Sequence, residues 1–501
     1  MNLIKKCSFS TIAILTLFLI TTFVFLLNSP LHPWIGGETG TDSSVFKTVA
    51  LMMDKGYMPY RDSFDHKGPY LYILNWLGNR IAYYKGVWII EFISFFCSLA
   101  AIYKIARLSC NRFFSCVTVF TSVSLLFRYF EGGNMTEEYA MPLIAVSQLI
   151  FLDYLINKNV TKLRLMLCGF CFGATCLLRA NMIVLWIVYG SVIFVLCIVH
   201  KQYNDIKKFL LFFLLGACLI VIPIILWLGI NGALIDFWDN YITFNREYTS
   251  ASGGRASFTN KWTAFFTFTN NTIIILAILL SVYFCIIQDK ILWGCHLCYL
   301  FLSLLFLSMS GMIFMHYGMV LVPAVSFPIA TLFDILNSKK VSAPPKEKEH
   351  LAYIVAVFLI GIIVIPNWLN LYTTLASKYE DRGKPHLSQT VYVISTYIKN
   401  NTLEDDTISV YGNWNIIYLL SNRIHATKYS YQSPLFHVRP SIKSEYLEDL
   451  GKELPKIIVV QANRYDSDIS QFLDQNGYSL IWSEDDSLEK ALMFERTNSV
   501  Q

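Results

Sequence analysis

The sequence predicts a polytopic all-α membrane protein of about eleven transmembrane helices, followed by a small soluble α/β domain. Three observations carry this. Of the 501 residues, 55% are hydrophobic and only 15% are charged, whereas a soluble chain carries about 25% charged residues. Aromatic residues also reach 15%, with 29 Tyr and 11 Trp, side chains that gather at membrane–water interfaces. Apolar runs near the ~20 residues needed to cross a bilayer recur up to about residue 370.

The first run, 9–27, follows Lys5 and Lys6. It begins like a signal peptide, but "NSPLHPW" comes next and no A-x-A cleavage site does, so it reads as a retained anchor helix. Further runs fall near 87–106, 113–129, 139–156, 164–178, 181–199, 209–230, 271–288, 291–309, 312–335 and 351–370. With the N-terminus inside, fifteen basic residues lie at cytosolic ends: Lys5, Lys6, Arg107, Arg112, Lys158, Lys162, Arg164, Lys201, Lys207, Lys208, Lys290, Lys339, Lys340, Lys346 and Lys348. The short outer loops hold only Arg128 and Arg179. The excess of inner Lys and Arg selects this orientation. Residues 29–86, 128–138, 231–270 and everything after 371 then face outward.

The organisation that follows is a membrane domain over 1–372, with outer loops 29–86 and 231–270 and a charged, Pro-containing cytosolic linker at 338–350, "SKKVSAPPKEKEH". Residues 373–501 form an extracytoplasmic α/β domain. In it, "TISVYG" and "KIIVVQ" read as buried strands, and "NWNIIYLLSNR" and "SDISQFLDQNG" read as helices, the second ending at Gly477. The twelve cysteines lie almost entirely in or beside apolar runs, and 29–86, 231–270 and 378–501 have none. No disulfide framework is implied, and Cys168/Cys171 and Cys295/Cys298 read as small apolar residues rather than metal or redox pairs. The net charge of +5 gives no reason to invoke nucleic acid, and no nucleic-acid motif is present. Neither GxxxxGK[ST] nor GxGxxG occurs, so ATP and dinucleotide use are not indicated.

In the expected topology the polar clusters all fall on one side. Asp42, in "GGETGTDSSVF", either acts as a base at the membrane edge or caps a helix starting at Ser43. Asp65, His66 and Lys67 stand in a row before a Gly-Pro turn. Lys67 suits a lipid phosphate, or snorkels as interfacial lysines do. His66 is a ligand, a hydrogen-bond donor or a structural residue. Glu137 and Glu138, in "EGGNMTEEYAMP", suit the positive end of a helix that Thr136 caps. They also suit a second carboxylate holding a sugar hydroxyl or a divalent cation. Glu91, in "WIIEFISFF", is an acid inside a span and a functional candidate for that reason, with Lys67, Arg80 or Lys85 as its expected partner. Arg179 in "LLRANM", and His316 and Tyr317 in "FMHYGMVLVP", either line the same cavity or pair with backbone and headgroups.

Together these stretches are familiar. An anchor helix and "TDSSVF" are followed by "GYMPYRDSFDHKGPYLYILNWLG", "NMTEEYAMP", "LLRAN" and "HYGMVLVP". The pattern resembles the GT-C superfamily of polyprenyl-phosphate-dependent glycosyltransferases, in particular the bacterial branch related to aminoarabinose transferases and protein O-mannosyltransferases. The likeness covers about 1–372 and extends to the α/β tail, and "P-Y-x-D-x-F-x-H-K-G-P" is its most specific piece.

The resemblance implies that Asp42 is the catalytic base, that Lys67 contacts the carrier-lipid phosphate, and that Glu137 or Glu138 supplies a second acid. This chain has His-Lys-Gly-Pro where aminoarabinose transferases have Glu-Lys-Pro, so His66 replaces an acid, and whether any metal is used is left open. A polyprenyl-phosphate leaving group accepts its own charge. The enzyme then needs a base for the acceptor hydroxyl (Asp42) and cations for the departing phosphate (Lys67 and Arg179), and one displacement inverts the sugar carbon. Asp62, Asp65, His66, Glu91, His316 and Tyr317 would shape the pocket. The implied partners are a polyprenyl-phosphate sugar donor, membrane lipid and a cell-surface polysaccharide, teichoic acid or glycolipid acceptor. The implied setting is a bacterial cytoplasmic membrane. Two alternatives stand beside this: a flippase or transporter of lipid-linked saccharides, and a ligase that moves whole oligosaccharides. A glycan-binding scaffold is a third, and it places the activity in 378–501. Transporters show midplane polar residues and repeated halves; here the polar residues gather at one boundary and no repeat is evident.

Overall fold

The computed structural model of the protein describes residues 9–34, 41–251, 257–337, 346–380, 389–483 and 490–497. Lys5, Lys6 and most of the 338–350 linker lie outside them. Each of the eleven apolar runs coincides with helix. Among the described residues, seven helices are long and apolar enough to cross a membrane: Phe9–Leu26, Val87–Ala106, Thr136–Asn157, Tyr203–Ile230, Lys290–Ser308, Met315–Leu336 and Leu351–Glu380. An eighth crossing counts Phe258–Thr269 and Thr272–Ile287 together, a pair bent by 87°. The bend falls at Asn270-Asn271, where the first helix stops and the Asn271 side chain accepts from the Ile273 N–H at 2.9 Å to start the second. The runs at 113–129, 164–178 and 181–199 form shorter helices, Arg112–Val123, Lys162–Leu178 and Val184–Val199. The chain is a multi-pass membrane protein.

It divides into two compact units. The first comprises residues 1–29, 89–223 and 254–380 and, among its described residues, is built of helices and their connecting loops without a strand. Without a hydrophobic force between helices in lipid, close packing depends on small residues. Helices Lys162–Leu178 and Tyr203–Ile230 meet at Gly169 and Gly216, where an added Cβ would stand 1.9 Å from the carbonyl oxygens of Phe213 and Met166 respectively. Any larger residue would force these backbones apart.

The second unit draws on three separate stretches, 30–88, 224–253 and 381–501. Its centre is a five-stranded sheet in the order β2-β1-β3-β5-β4, from β1 Thr407–Tyr411, β2 Ile424–His425, β3 Ile457–Gln461, β4 Tyr478–Ser483 and β5 Ala491–Arg496. β1 runs parallel to β2 and β3, while β5 runs antiparallel to β3 and β4. The two expected strands are β1 and β3, and the two expected helices are Ile416–Ser421 and Ser467–Gln475. Helix Thr41–Asp54, from the first polar loop, belongs to the same core. Its Leu51 and Met52 are buried in one cluster with Ile394, Ile398, Ile408, Val410, Ile417 and Val459.

Candidate functional site

In the second unit the loop before helix Pro69–Ala82 is held by its own polar groups. Tyr60 has φ of 70°, and this left-handed turn lets its N–H donate to the Ser63 carbonyl at 2.8 Å while its hydroxyl donates to the Lys67 carbonyl at 2.8 Å. Asp62 turns inward, accepting from the Met58 N–H at 2.7 Å and pairing with Arg61. Asp65 is buried and accepts from two phenols, Tyr72 at 2.7 Å and Tyr431 at 2.9 Å. Burial pushes the Asp65 carboxyl above the usual range, opposed by the Lys67 charge and by both phenol hydrogen bonds. The same burial, with the Asp65 charge, raises Tyr72 and Tyr431 well above ordinary phenols, so both stay protonated as donors.

His66 and Lys67 emerge from this base, each half-buried. The Lys67 ammonium lies 3.2 Å from His66 Nε2. An ammonium only donates, so Nε2 is the acceptor and the proton of a neutral imidazole sits on Nδ1. That nitrogen faces Asp65 Oδ1 and the Tyr431 hydroxyl, both at 3.4 Å. The ring stacks on Tyr248 with centroids 5.6 Å apart, and Asn245 donates to the His66 carbonyl at 2.7 Å. The segment bearing Asn245 and Tyr248 follows a π-helical turn, Trp238–Thr243. It is tied to the tail by Arg439, which pairs with Asp239 at 2.6 Å and Glu247 at 2.8 Å. Asp42 is exposed in the first turn of helix Thr41–Asp54, one residue inside its start, and its charge acts on Tyr431.

In the first unit, the two adjacent glutamates have different surroundings. Glu137 is buried, receives Arg179 Nη1 at 2.6 Å and accepts from the Thr136 hydroxyl at 2.8 Å. The Arg179 guanidinium lies 4.0 Å over the Tyr317 ring. His316 packs edge-on against Tyr317 and meets Glu131 at 3.1 Å. Glu138 instead accepts from the N–H groups of Asn134 at 3.1 Å and Met135 at 3.2 Å, closing the loop onto the helix start. The buried Glu91 accepts from the Ser29 hydroxyl at 2.9 Å. The cations expected beside Glu91 have other contacts: Lys67 meets His66, Arg80 pairs with Asp54 at 2.9 Å and Lys85 lies over Tyr84.

The structure thus gathers Asp65, His66 and Lys67 in one unit, with Asp42 acting on the same tyrosine. It gathers Glu137, Arg179, His316 and Tyr317 in the other. Sequence reasoning missed Tyr72, Tyr431, Tyr248, Asn245 and Glu131. Tyr72 lies within the quoted "GPYLYILN" stretch and could have been found as the second tyrosine after the turn. Tyr431 and Tyr248 carry no local signal. Among the described residues, no group of three or more His, Cys, Asp or Glu comes together to hold a metal ion.

Residues 3–360 match the family model described as "Putative competence-induced protein Ccs4 N-terminal domain". No curated protein matches the chain. Among solved structures, ArnT from Cupriavidus metallidurans bound to undecaprenyl phosphate aligns with a TM-score of 0.64 at 11% identity, covering 98% of this chain and 99% of ArnT. The same protein in the apo state gives 0.57 at 11% identity, over 96% and 97%. The Archaeoglobus fulgidus oligosaccharyltransferase in complex with Zn and sulfate gives 0.50 at 12% identity, over 95% of this chain and 72% of that one. At these identities the likeness is one of fold.

Proposed function

The chain belongs to the Ccs4 N-terminal-domain family and has a GT-C fold, and we propose that it is an integral-membrane glycosyltransferase using a polyprenyl-phosphate sugar as donor. The observation that carries this reading is the mounting of Lys67. A half-buried ammonium is directed by a histidine whose own orientation is set by Asp65, Tyr431 and Tyr248. A snorkelling lysine has no need of such support. A cation that must meet a phosphate in a fixed place does.

In the proposed reaction the acceptor hydroxyl attacks the anomeric carbon from the face opposite the phosphate. The carbon–oxygen bond to the phosphate breaks, and its electron pair leaves with the polyprenyl phosphate. The hydroxyl proton passes to Asp42, and the configuration inverts. Lys67 answers the phosphate charge. Arg179 gives Nη1 to Glu137, and a guanidinium has five N–H donors in all. Glu137 is therefore the acid that positions Arg179, and Glu138 closes the helix start. The donor is met on the outer face of a bacterial cytoplasmic membrane with the N-terminus inside. The acceptor is a cell-surface polysaccharide, teichoic acid or glycolipid. The test is binding of undecaprenyl phosphate to the purified protein. Wild type should bind it, and Lys67→Ala should weaken binding by about tenfold or more. Equal binding by the two would remove Lys67 from the phosphate site.

A further inference from the structure

A second ligand site lies in the first unit, at the end of its helices away from Glu137 and Arg179. There the later part of helix Thr136–Asn157, helix Val184–Val199 and the first turns of Tyr203–Ile230 enclose an apolar cavity of about 210 Å³. Trp186, Gly190, Cys197 and Phe209 line it, and Phe194 and Leu210, 46% and 51% exposed, stand at its mouth. Gly190 leaves the space open, since a Cβ there would meet nothing within 4 Å.

The rim is basic. The Lys158 ammonium lies 5.3 Å over the Tyr154 ring, which packs on Phe209 at 4.9 Å, and the Tyr154 hydroxyl lies 3.5 Å from the Cys197 sulfur. Lys162 lies 5.3 Å over Phe212, on the same stretch of helix as the cavity wall. Arg164, Lys201, Lys207 and Lys208 belong to the same helix ends, against Asp153, which Arg164 neutralises, and Asp205. We infer that this groove binds an anionic phospholipid, one acyl chain lying along Trp186 and Gly190 and the phosphate meeting Lys158 and Lys162. The charge of the rim commits the site to an anionic headgroup, because basic clusters at helix ends draw acidic lipids and not zwitterionic ones. The inference does not depend on the proposed glycosyl transfer.

The full chain is reconstituted in phosphatidylcholine vesicles carrying a minor share of either brominated phosphatidylglycerol or brominated phosphatidylcholine. Tryptophan quenching is then compared, and Trp186→Phe identifies the part that belongs to the groove. Brominated phosphatidylglycerol should quench the Trp186 emission more strongly. The Lys158→Asn/Lys162→Gln variant, which removes both charges and puts at 158 a residue suited to its left-handed backbone (φ 55°), should reduce that preference by about fivefold for each lysine. Gly190→Phe should abolish the groove's share for both lipids. Equal quenching by the two lipids in wild type would overturn the inference, as would a groove signal that survives Gly190→Phe.

Discussion

Lys67 places its ammonium 3.2 Å from the ring nitrogen of its immediate neighbour, His66. Sequence neighbours usually point apart. Here the Gly68-Pro69 start of the next helix and the two phenols on Asp65 fold both side chains to one side. The pair ranks donor affinity above turnover among the effects of mutation. His66→Ala should raise KM for the lipid donor roughly 5- to 20-fold, the worth of one charge-assisted hydrogen bond. It should leave kcat within about twofold, and His66→Gln, which keeps an acceptor, should recover part of the loss. Steady-state kinetics of the three proteins separate the two constants. A fall in kcat alone would assign His66 a different role.

Glu137 and Arg179 form a pair that is 1% and 22% exposed at the side chain. Removing one partner of such a pair leaves an uncompensated charge and costs about 3–5 kcal/mol, whereas replacing both with apolar residues is close to neutral. Arg179→Met should therefore lower the unfolding temperature in detergent more than Glu137→Leu/Arg179→Met does. Equal losses would mean that the pair contributes through packing alone.

His425 gives the second unit a pH limit. Its Nδ1 lies against the Thr427 carbonyl and its Nε2 lies 3.0 Å from the Ser63 hydroxyl, an arrangement that satisfies the neutral ring. Burial pushes its pKa down from 6.5 to about 4. A depressed folded value means stability that is complete above pH 6.5 and is lost as the pH falls toward 4. The difference amounts to roughly 3 kcal/mol by linkage. Asp65, raised by burial, has the opposite slope, with stability lost as pH rises through its folded value. Comparison with His425→Asn therefore isolates the histidine. The protection of the β1 and β3 amides, measured against their intrinsic exchange rate at each pH, should fall in wild type between pH 6.5 and 4 and fall less in the variant.

Leu51 is 3% exposed in the core that helix Thr41–Asp54 shares with the sheet. Leu51→Ala should cost about 2–5 kcal/mol and speed exchange at Ile457–Gln461. If only the helix itself exchanged faster, the two would not form one cooperative unit.

This contact marks the limit of what the sequence shows. Apolar length alone located the membrane helices, and the buried β-branched runs located β1 and β3. β4, "YSLIWS", and β5, "ALMFER", lack a clean run or alternation, and they form because each pairs with a neighbour. That Leu51 packs against residues more than 340 positions away leaves no local trace. Helix Phe258–Thr269 falls within the outer loop expected at 231–270, and the Asn270-Asn271 break separates it from the helix that follows. The candidate site follows the same rule. Asp65, His66 and Lys67 are consecutive and stood out as charges in an apolar chain. Tyr431, which meets Asp65 across 366 positions, did not. Glu137 and Glu138 were indistinguishable as letters, because successive helix residues point about 100° apart and only packing decides which one meets Arg179.

The central claim is transfer from a polyprenyl-phosphate sugar with Asp42 as base, and one measurement addresses it directly. Purified wild type and Asp42→Asn are given a panel of polyprenyl-phosphate sugars in vesicles, and both transfer and donor hydrolysis are followed. The account predicts turnover of one donor by wild type and a loss of about 10²- to 10⁴-fold in the variant, with donor binding retained. Turnover undiminished in Asp42→Asn would contradict the assignment of the base, and donor binding without any turnover by wild type would contradict glycosyl transfer itself.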